Sequence, residues 1–346
     1  MKKTLLTILL FIITLLASSC NKEVKKYDGS FLFLFDTITE VSAYAKSEDD
    51  FKEFTNFIHD ELEIYHRLYD KYNSYEGVNN IKTINDNAGK DPVIVDQKII
   101  DLLKYSIDAY KMTNGTLNIA MGSVLEIWHD YREEGINDPL NSKLPPKELL
   151  EEANSHTDLD NLIIDESKST VFIKDSKMRL DVGAIAKGYA VEQVAQSAIE
   201  KDYNNFLLSV GGNVRTVGGK GKEQTPWHVG IQNPDKESEK YSLFTLALKD
   251  LSLVSSGNYE RYYTVEGRKY HHIINPASLM PSEYFAAVSI ICQDSGQADL
   301  LSTAIFNMSY EEGLELIEGL DNTEALWVFN DYSMKYSDGF EDLIRK

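Results

Sequence analysis

The chain predicts one α+β domain in which an antiparallel-rich sheet packs against helices. Three observations carry that prediction. Helix-like and strand-like segments mix throughout the sequence, and the second half is rich in short strand candidates. No Pro/Gly/Ser linker, internal repeat or low-complexity tract divides the 346 residues. The composition, 42% hydrophobic and 11% aromatic, supplies a substantial core and excludes disorder outside the N-terminal linker.

The elements follow in order. Residues 30–45 (SFLFLFDTITEVSAYA) are aromatic and β-branched and read as strand. Residues 49–72 carry apolar side chains at helical spacing, among them Phe54, Phe57, Ile58, Leu62 and Tyr65. A polar segment ending in NNIKTIND leads to a second amphipathic helix over 96–112, with Asn114-Gly115 as its C-cap. Residues 121–128 and 145–153 read as further helices, and 170–182 as strands. Residues 179–219 then read as strand, glycine-bearing turn, helix, strand and glycine turn. Strands are expected at 206–210, 227–231, 241–248, 262–265, 284–292 and 325–329, and helices at 297–308 and 310–317.

Charge and leader narrow the function classes. The formal charge is −20, from 35 Lys and Arg against 55 Asp and Glu, which is the wrong sign for a nucleic-acid footprint. Residues 1–19 combine a basic start (Lys2, Lys3), an apolar run over 5–16 and Ala17-Ser18-Ser19. Small residues before Cys20 resemble a bacterial lipoprotein signal, which implies a lipidated Cys20, a polar tether over 20–28, and a domain over 29–346. The expected location is the membrane, on its extracytoplasmic face. With Cys20 lipidated, Cys292 is left alone in an apolar strand, a setting for an inert thiol and not for a disulfide.

Four scattered segments could carry chemistry. In 181–189, Asp181 and Lys187 bracket a turn that opens a helix, where backbone N–H groups and the dipole favour an anion. The spacing matches neither GxxxxGK[ST] nor GxGxxG. In 298–304, Asp299 and Thr303 share one helix face beside Ser302, an oxygen set suited to Mg²⁺ or to nothing more than packing. In 270–281, His271 and His272 face opposite ways if extended, so one histidine at most serves a site, as a base. In 255–261, Ser255-Ser256-Gly257 reads as a tight turn; without GxSxG it is no hydrolase nucleophile.

Taken in order, FDT (35–37), NGTLNIAMGSVLEIW (114–128), LDVGAIAKGYAVEQVA (180–195), LLSVGGNVRTVG (207–218), WHVGIQNP (227–234), SSGNYER (255–261), YHHIINP (270–276) and ADLLSTAIF (298–306) resemble the ApbE family of FAD:protein FMN transferases. The resemblance implies an ApbE-like fold and a reaction in which FAD is the substrate. FMN passes to a threonine hydroxyl of an acceptor flavoprotein, typically a subunit of a membrane redox complex, with AMP released and Mg²⁺ required. It implies metal binding by Asp299, Thr303 and adjacent Ser302, with the backbone carbonyl of Ala184. It implies cofactor contacts from Phe35, Thr116, Leu117, Asn118, Asp181, Lys187 and Ile273. His272 takes the role of base, with His271 as the alternative, and Lys187 and Asp299 act on the phosphates. Asn118 and Asn275 stand where the family often has Asp. Leu279 stands where the turn after Pro276 usually has Gly, so a changed turn is expected. A metal-dependent FAD pyrophosphatase, which makes FMN and AMP, and a non-catalytic flavin-binding lipoprotein stay open as alternatives.

Overall fold

The computed structural model describes residues 23–345. The signal segment and Cys20 lie outside the described residues. Strands β1 (Lys25–Leu32) and β2 (Ile38–Ala45) form a hairpin around a 3₁₀ turn at Leu34–Asp36. Helices α1 (Glu48–Tyr69) and α2 (Ile81–Asp86), strand β3 (Val93–Ile94), and helices α3 (Gln97–Met112), α4 (Gly122–Asn137) and α5 (Lys147–Asn154) follow. Next come β4 (Leu162–Asp165), β5 (Thr170–Ile173), α6 (Ala186–Glu200), β6 (Phe206–Val210), β7 (Asn213–Val217), β8 (Trp227–Gln232) and β9 (Ser242–Leu248). The chain continues with β10 (Ser252–Gly257), β11 (Tyr262–Val265), β12 (Arg268–His271), β13 (Phe285–Cys292), α7 (Ser295–Phe306), α8 (Tyr310–Glu318), β14 (Glu324–Phe329) and β15 (Met334–Tyr336).

The main sheet has eight strands in the order β1-β2-β6-β7-β10-β13-β14-β15, and every neighbouring pair is antiparallel. Both faces of its centre are covered. Val288 and Ile290 of β13 join the core formed with α1, α3, α6 and α7. Ala287 and Ile291 join the opposite core, formed with the β8–β9 hairpin and Phe340. That double burial is why β13 is apolar throughout instead of alternating. Cys292 is buried among these residues, and burial pushes its thiol up to about 12, so it is unreactive. A third cluster, around Trp128, Tyr263, Ile274 and Leu279, ties α4 and α5 to the β11–β12 hairpin.

Several boundaries differ from expectation. Residues 25–28, read as tether, are the start of β1, paired through Lys25↔Ala45 and Asp28↔Ser42. The single strand expected over 30–45 is broken by the turn at Leu34–Asp36. NNIKTIND holds α2, nucleated by a capping box between Asn80 and Thr83. Beyond Ile173 the expected strand gives way to loop, with one parallel bridge between Met121 and Arg179. Ser255-Ser256-Gly257 completes β10 and is not a turn.

Candidate active site

The N-terminus of α6, the end of β10, the turns β1–β2 and β6–β7, and parts of α4 and α7 surround one cleft of about 520 Å³, within the range of small-molecule sites. Phe35, Thr116, Leu117, Asn118, Asp181, Ala184, Lys187, His272, Ile273, Asp299 and Thr303 all line it. Residues as far apart in sequence as Phe35 and Thr303 are thus brought to one place.

Backbone clamps hold the 179–185 loop. Both amide atoms of Asn85, on α2, bind Leu180: Nδ2 donates to its carbonyl at 3.0 Å, and Oδ1 accepts its N–H at 2.7 Å. Asp181 N–H donates to the Ile119 carbonyl at 2.8 Å, and Gly122 N–H donates to Arg179 at 3.0 Å. The Asp181 carboxylate accepts Gly183 N–H at 2.9 Å and pairs with Lys71 at 2.6 Å. Burial pushes the Asp181 carboxyl up, but the Lys71 charge and these hydrogen bonds outweigh it and hold it below the usual range. Burial likewise pushes Lys71 down, and Asp181 overrides it, so its ammonium stays charged.

The α6 terminus carries a different anion from the one the sequence suggests. Gly188 N–H donates to Asp299 Oδ2 at 2.7 Å, so the carboxylate of α7 caps α6. Only glycine permits this approach: a Cβ at 188 would lie 2.4 Å from Asp299 Cβ and from the Ser295 carbonyl. Burial raises the Asp299 carboxyl despite Lys187 and the Gly188 N–H. Burial, reinforced by Arg261 and opposed by Asp299, lowers Lys187. Lys187 Nζ reaches the Gly211 carbonyl at 3.4 Å.

Ser302 stands apart. It is fully buried, outside the cleft lining, and its hydroxyl meets Ser256 Oγ at 2.8 Å and the Asp299 carbonyl at 2.9 Å. Ser302 thus anchors Ser256 behind the site, while Thr303 faces the cleft and meets Ser256 Oγ at 3.4 Å. The oxygen set of Asp299, Thr303 and the Ala184 backbone fits a hard divalent cation. A carboxylate whose burial is incompletely offset by its protein partners is one that such a cation would hold ionised.

The histidines separate as extended neighbours must. His271 is buried away from the cleft; Nε2 meets the Ser282 carbonyl at 2.7 Å and Nδ1 accepts Ile273 N–H. His272 lines the cleft, and its buried Nδ1 has no protein partner. Burial first, then Arg261, His271 and Arg132, lower His272 to about 3, so the ring is neutral and, with those cations uncompensated, a weak base. The alternative base, His271, is committed to structure.

Asn118 spends its side chain on backbone, donating to Thr157 and accepting from Ala120, so at the cleft it acts as a brace. The turn after Pro276 keeps the geometry that was expected to change: Leu279 has φ 59°, the left-handed region. Its buried side chain packs in the Trp128 cluster, and the Trp128 indole N–H donates to its carbonyl at 2.9 Å, which offsets the strain. Sequence reading missed Lys71, Arg132 and Arg261 as cleft residues. Arg261 stood in the SSGNYER segment, but nothing in local sequence aimed it inward.

An anion-receiving, cation-compatible cleft with a neutral histidine on an antiparallel α+β fold defines a class: enzymes that transfer phosphorus-containing groups. The sequence model of the ApbE family matches residues 35–327, and the chain belongs to that family. A Treponema pallidum protein named FAD:protein FMN transferase is 30% identical over 279 residues, covering 77% of this chain and 75% of its own. A Haemophilus influenzae protein of the same name is 25% identical over 356 residues, with 99% of each chain covered. Among solved structures, the ApbE protein of Thermotoga maritima superposes with a TM-score of 0.81 at 26% identity, over 93% of this chain and 100% of its own. The Vibrio cholerae flavin transferase ApbE has the same fold, with a TM-score of 0.76 at 20% identity, over 92% of this chain and 99% of its own.

Proposed function

We propose that this protein transfers FMN from FAD to a threonine hydroxyl of an acceptor flavoprotein, with release of AMP. The observation that carries this reading is the convergence of Lys187, Asp299, Thr303 and His272 on one cleft. His272 takes the proton of the incoming hydroxyl. The hydroxyl oxygen bonds to the FMN phosphorus as the bond to the AMP phosphate breaks. Lys187 and Arg261 offset charge on the diphosphate. That diphosphate charge also counters the cations that depress His272, raising its basicity when substrate binds. Asp299, Thr303 and the Ala184 carbonyl would hold Mg²⁺, which supplies charge neutralisation at the phosphates. We place the enzyme on the extracytoplasmic face of a bacterial membrane, anchored through lipid on Cys20, because residues 1–19 and the small residues before that cysteine resemble a bacterial lipoprotein signal.

The test is mass spectrometry of a threonine-containing flavoprotein subunit from the same organism, incubated with the enzyme, FAD and Mg²⁺. A mass gain of one FMN on the threonine, with AMP released and no adduct formed when EDTA is present during the incubation or with D299A, supports the reading. AMP and free FMN without an adduct would replace it with FAD hydrolysis. FAD binding without product would leave a flavin-binding lipoprotein.

A further inference from the structure

The outer face of the β1–β2 hairpin is polar along most of its length, carrying Lys26, Asp28, Ser30, Glu40 and Ser42. Its tip is not. Leu32 and Ile38 are cross-strand partners, 50% and 54% exposed, and Phe33 beside them is 82% exposed. An isolated exposed apolar side chain is unremarkable, but three contiguous ones on a strongly acidic chain form a patch of the kind that marks an interaction site. The backbone adds a second observation. Phe33, Phe35 and Asp36 have φ of 81°, 52° and 53°, a cluster of left-handed non-glycine residues that folding alone would select against. The strain presents Phe33 outward while Leu34 enters the core.

Position identifies the occupant. Phe35, Asp36 and Thr37 of this same turn line the cleft, so the patch sits on the cleft rim. A protein whose hydroxyl enters the cleft comes within reach of that rim. The tip is also the end of β1 remote from the N-terminal residues: Lys25 and Leu32 are the two ends of an eight-residue strand, roughly 23 Å apart. If the chain is anchored through Cys20 as proposed above, the tip stands a strand's length from the point where β1 begins. We propose that Leu32, Phe33 and Ile38 dock the acceptor protein, gripping an apolar segment next to its modified threonine. This rests on the transferase reading above.

The experiment measures FMN transfer by the full-length chain in detergent to the flavoprotein subunit that the wild type labels. It compares wild type, L32S/F33S/I38S and F33G. None of the three side chains lines the cleft, so FAD affinity is expected to stay unchanged. The triple variant should raise the KM for acceptor about tenfold or more, with kcat at saturating acceptor retained. F33G separates docking from folding, because glycine suits φ 81°. It should raise the melting temperature and still raise the KM for acceptor. An unchanged KM in both variants, with the wild type active, overturns the proposal alone. So does unchanged KM with lost binding to anionic lipid vesicles, which would make the tip a membrane contact. A wild type that labels no acceptor overturns the transferase reading and this proposal together.

Discussion

A methyl group at Gly188 has nowhere to go. It would meet Asp299 Cβ and the Ser295 carbonyl at 2.4 Å, both on a packed helix. G188A should therefore cost about 1–3 kcal/mol in urea denaturation and push Asp299 off the α6 N-terminus, so FMN transfer falls with it. Leu279 is the opposite case, a side chain kept at φ 59° by its burial. L279G gains backbone freedom but loses packing against the Trp128 cluster, a net loss of about 1–2 kcal/mol. Because Leu279 does not line the cleft, kcat should be unchanged. His272 gives a pH signature. An unfolded histidine titrates near 6.5, while burial and the nearby cations hold His272 neutral down to about 3. Between those values the unfolded chain binds the extra proton, so this contribution to stability is present above about 6.5 and is lost as pH falls. Comparing wild type with H272Q by urea denaturation at pH 7.5 and 4.5 should show a relative shift of about 2 kcal/mol in favour of the variant at the lower pH. A shift of the opposite sign would mean that the ring is charged in the fold.

Between elements, the junction of α6, β7 and α7 rests on one buried ion pair. Arg215 Nε donates to Glu192 Oε2 at 2.9 Å, and the same oxygen accepts Ser295 N–H at the start of α7. Both side chains are buried. E192A would strand the guanidinium and free the α7 terminus that carries Asp299; the expected loss is about 3–5 kcal/mol by urea denaturation. Such couplings have no trace in local sequence, whereas the elements themselves often do. Helices α1 and α3 were legible because their apolar residues repeat at helical spacing; the structure adds Ser47 and Asp96 as their N-caps. Helix α2 was not, since six residues are too few to show a period and its capping box uses Thr83 in place of an acidic residue. The 174–182 segment reads as strand from composition, yet the site needs it as a loop, held by Asn85 and Ile119 from elsewhere in the chain. For the site, helical spacing put Asp299 beside Thr303 and strand alternation separated His271 from His272. The cations Lys71 and Arg132 arrive from the loop that follows α1 and from α4 by tertiary packing alone.

At the scale of the molecule, the sheet has a hidden dependence on its first strand. β1 pairs with all eight residues of β2, and its inward face sets Tyr27 on Phe51 with ring centroids 5.6 Å apart and Phe31 on His59 at 5.0 Å. Beyond β2 lies β6, whose far turn brings Gly211 to Lys187. Residues 25–28 therefore belong to the folded unit, although their lysines and acid suggest a tether. Two truncations separate these descriptions. Removing residues 1–22 leaves every described strand of the sheet in place, so the melting temperature and FAD affinity should match those of the full chain. Removing residues 1–32 strips β1, bares the full edge of β2, and uncovers Phe51 and the neighbouring face of α1. An unpaired edge of that length invites association, so the shorter chain should elute as aggregate on gel filtration and melt many degrees lower. It should also lose FAD binding, because Phe35 and Thr37 would no longer be held at the cleft. A monomeric, FAD-binding chain that starts at residue 33 would show that β1 is an appendage after all.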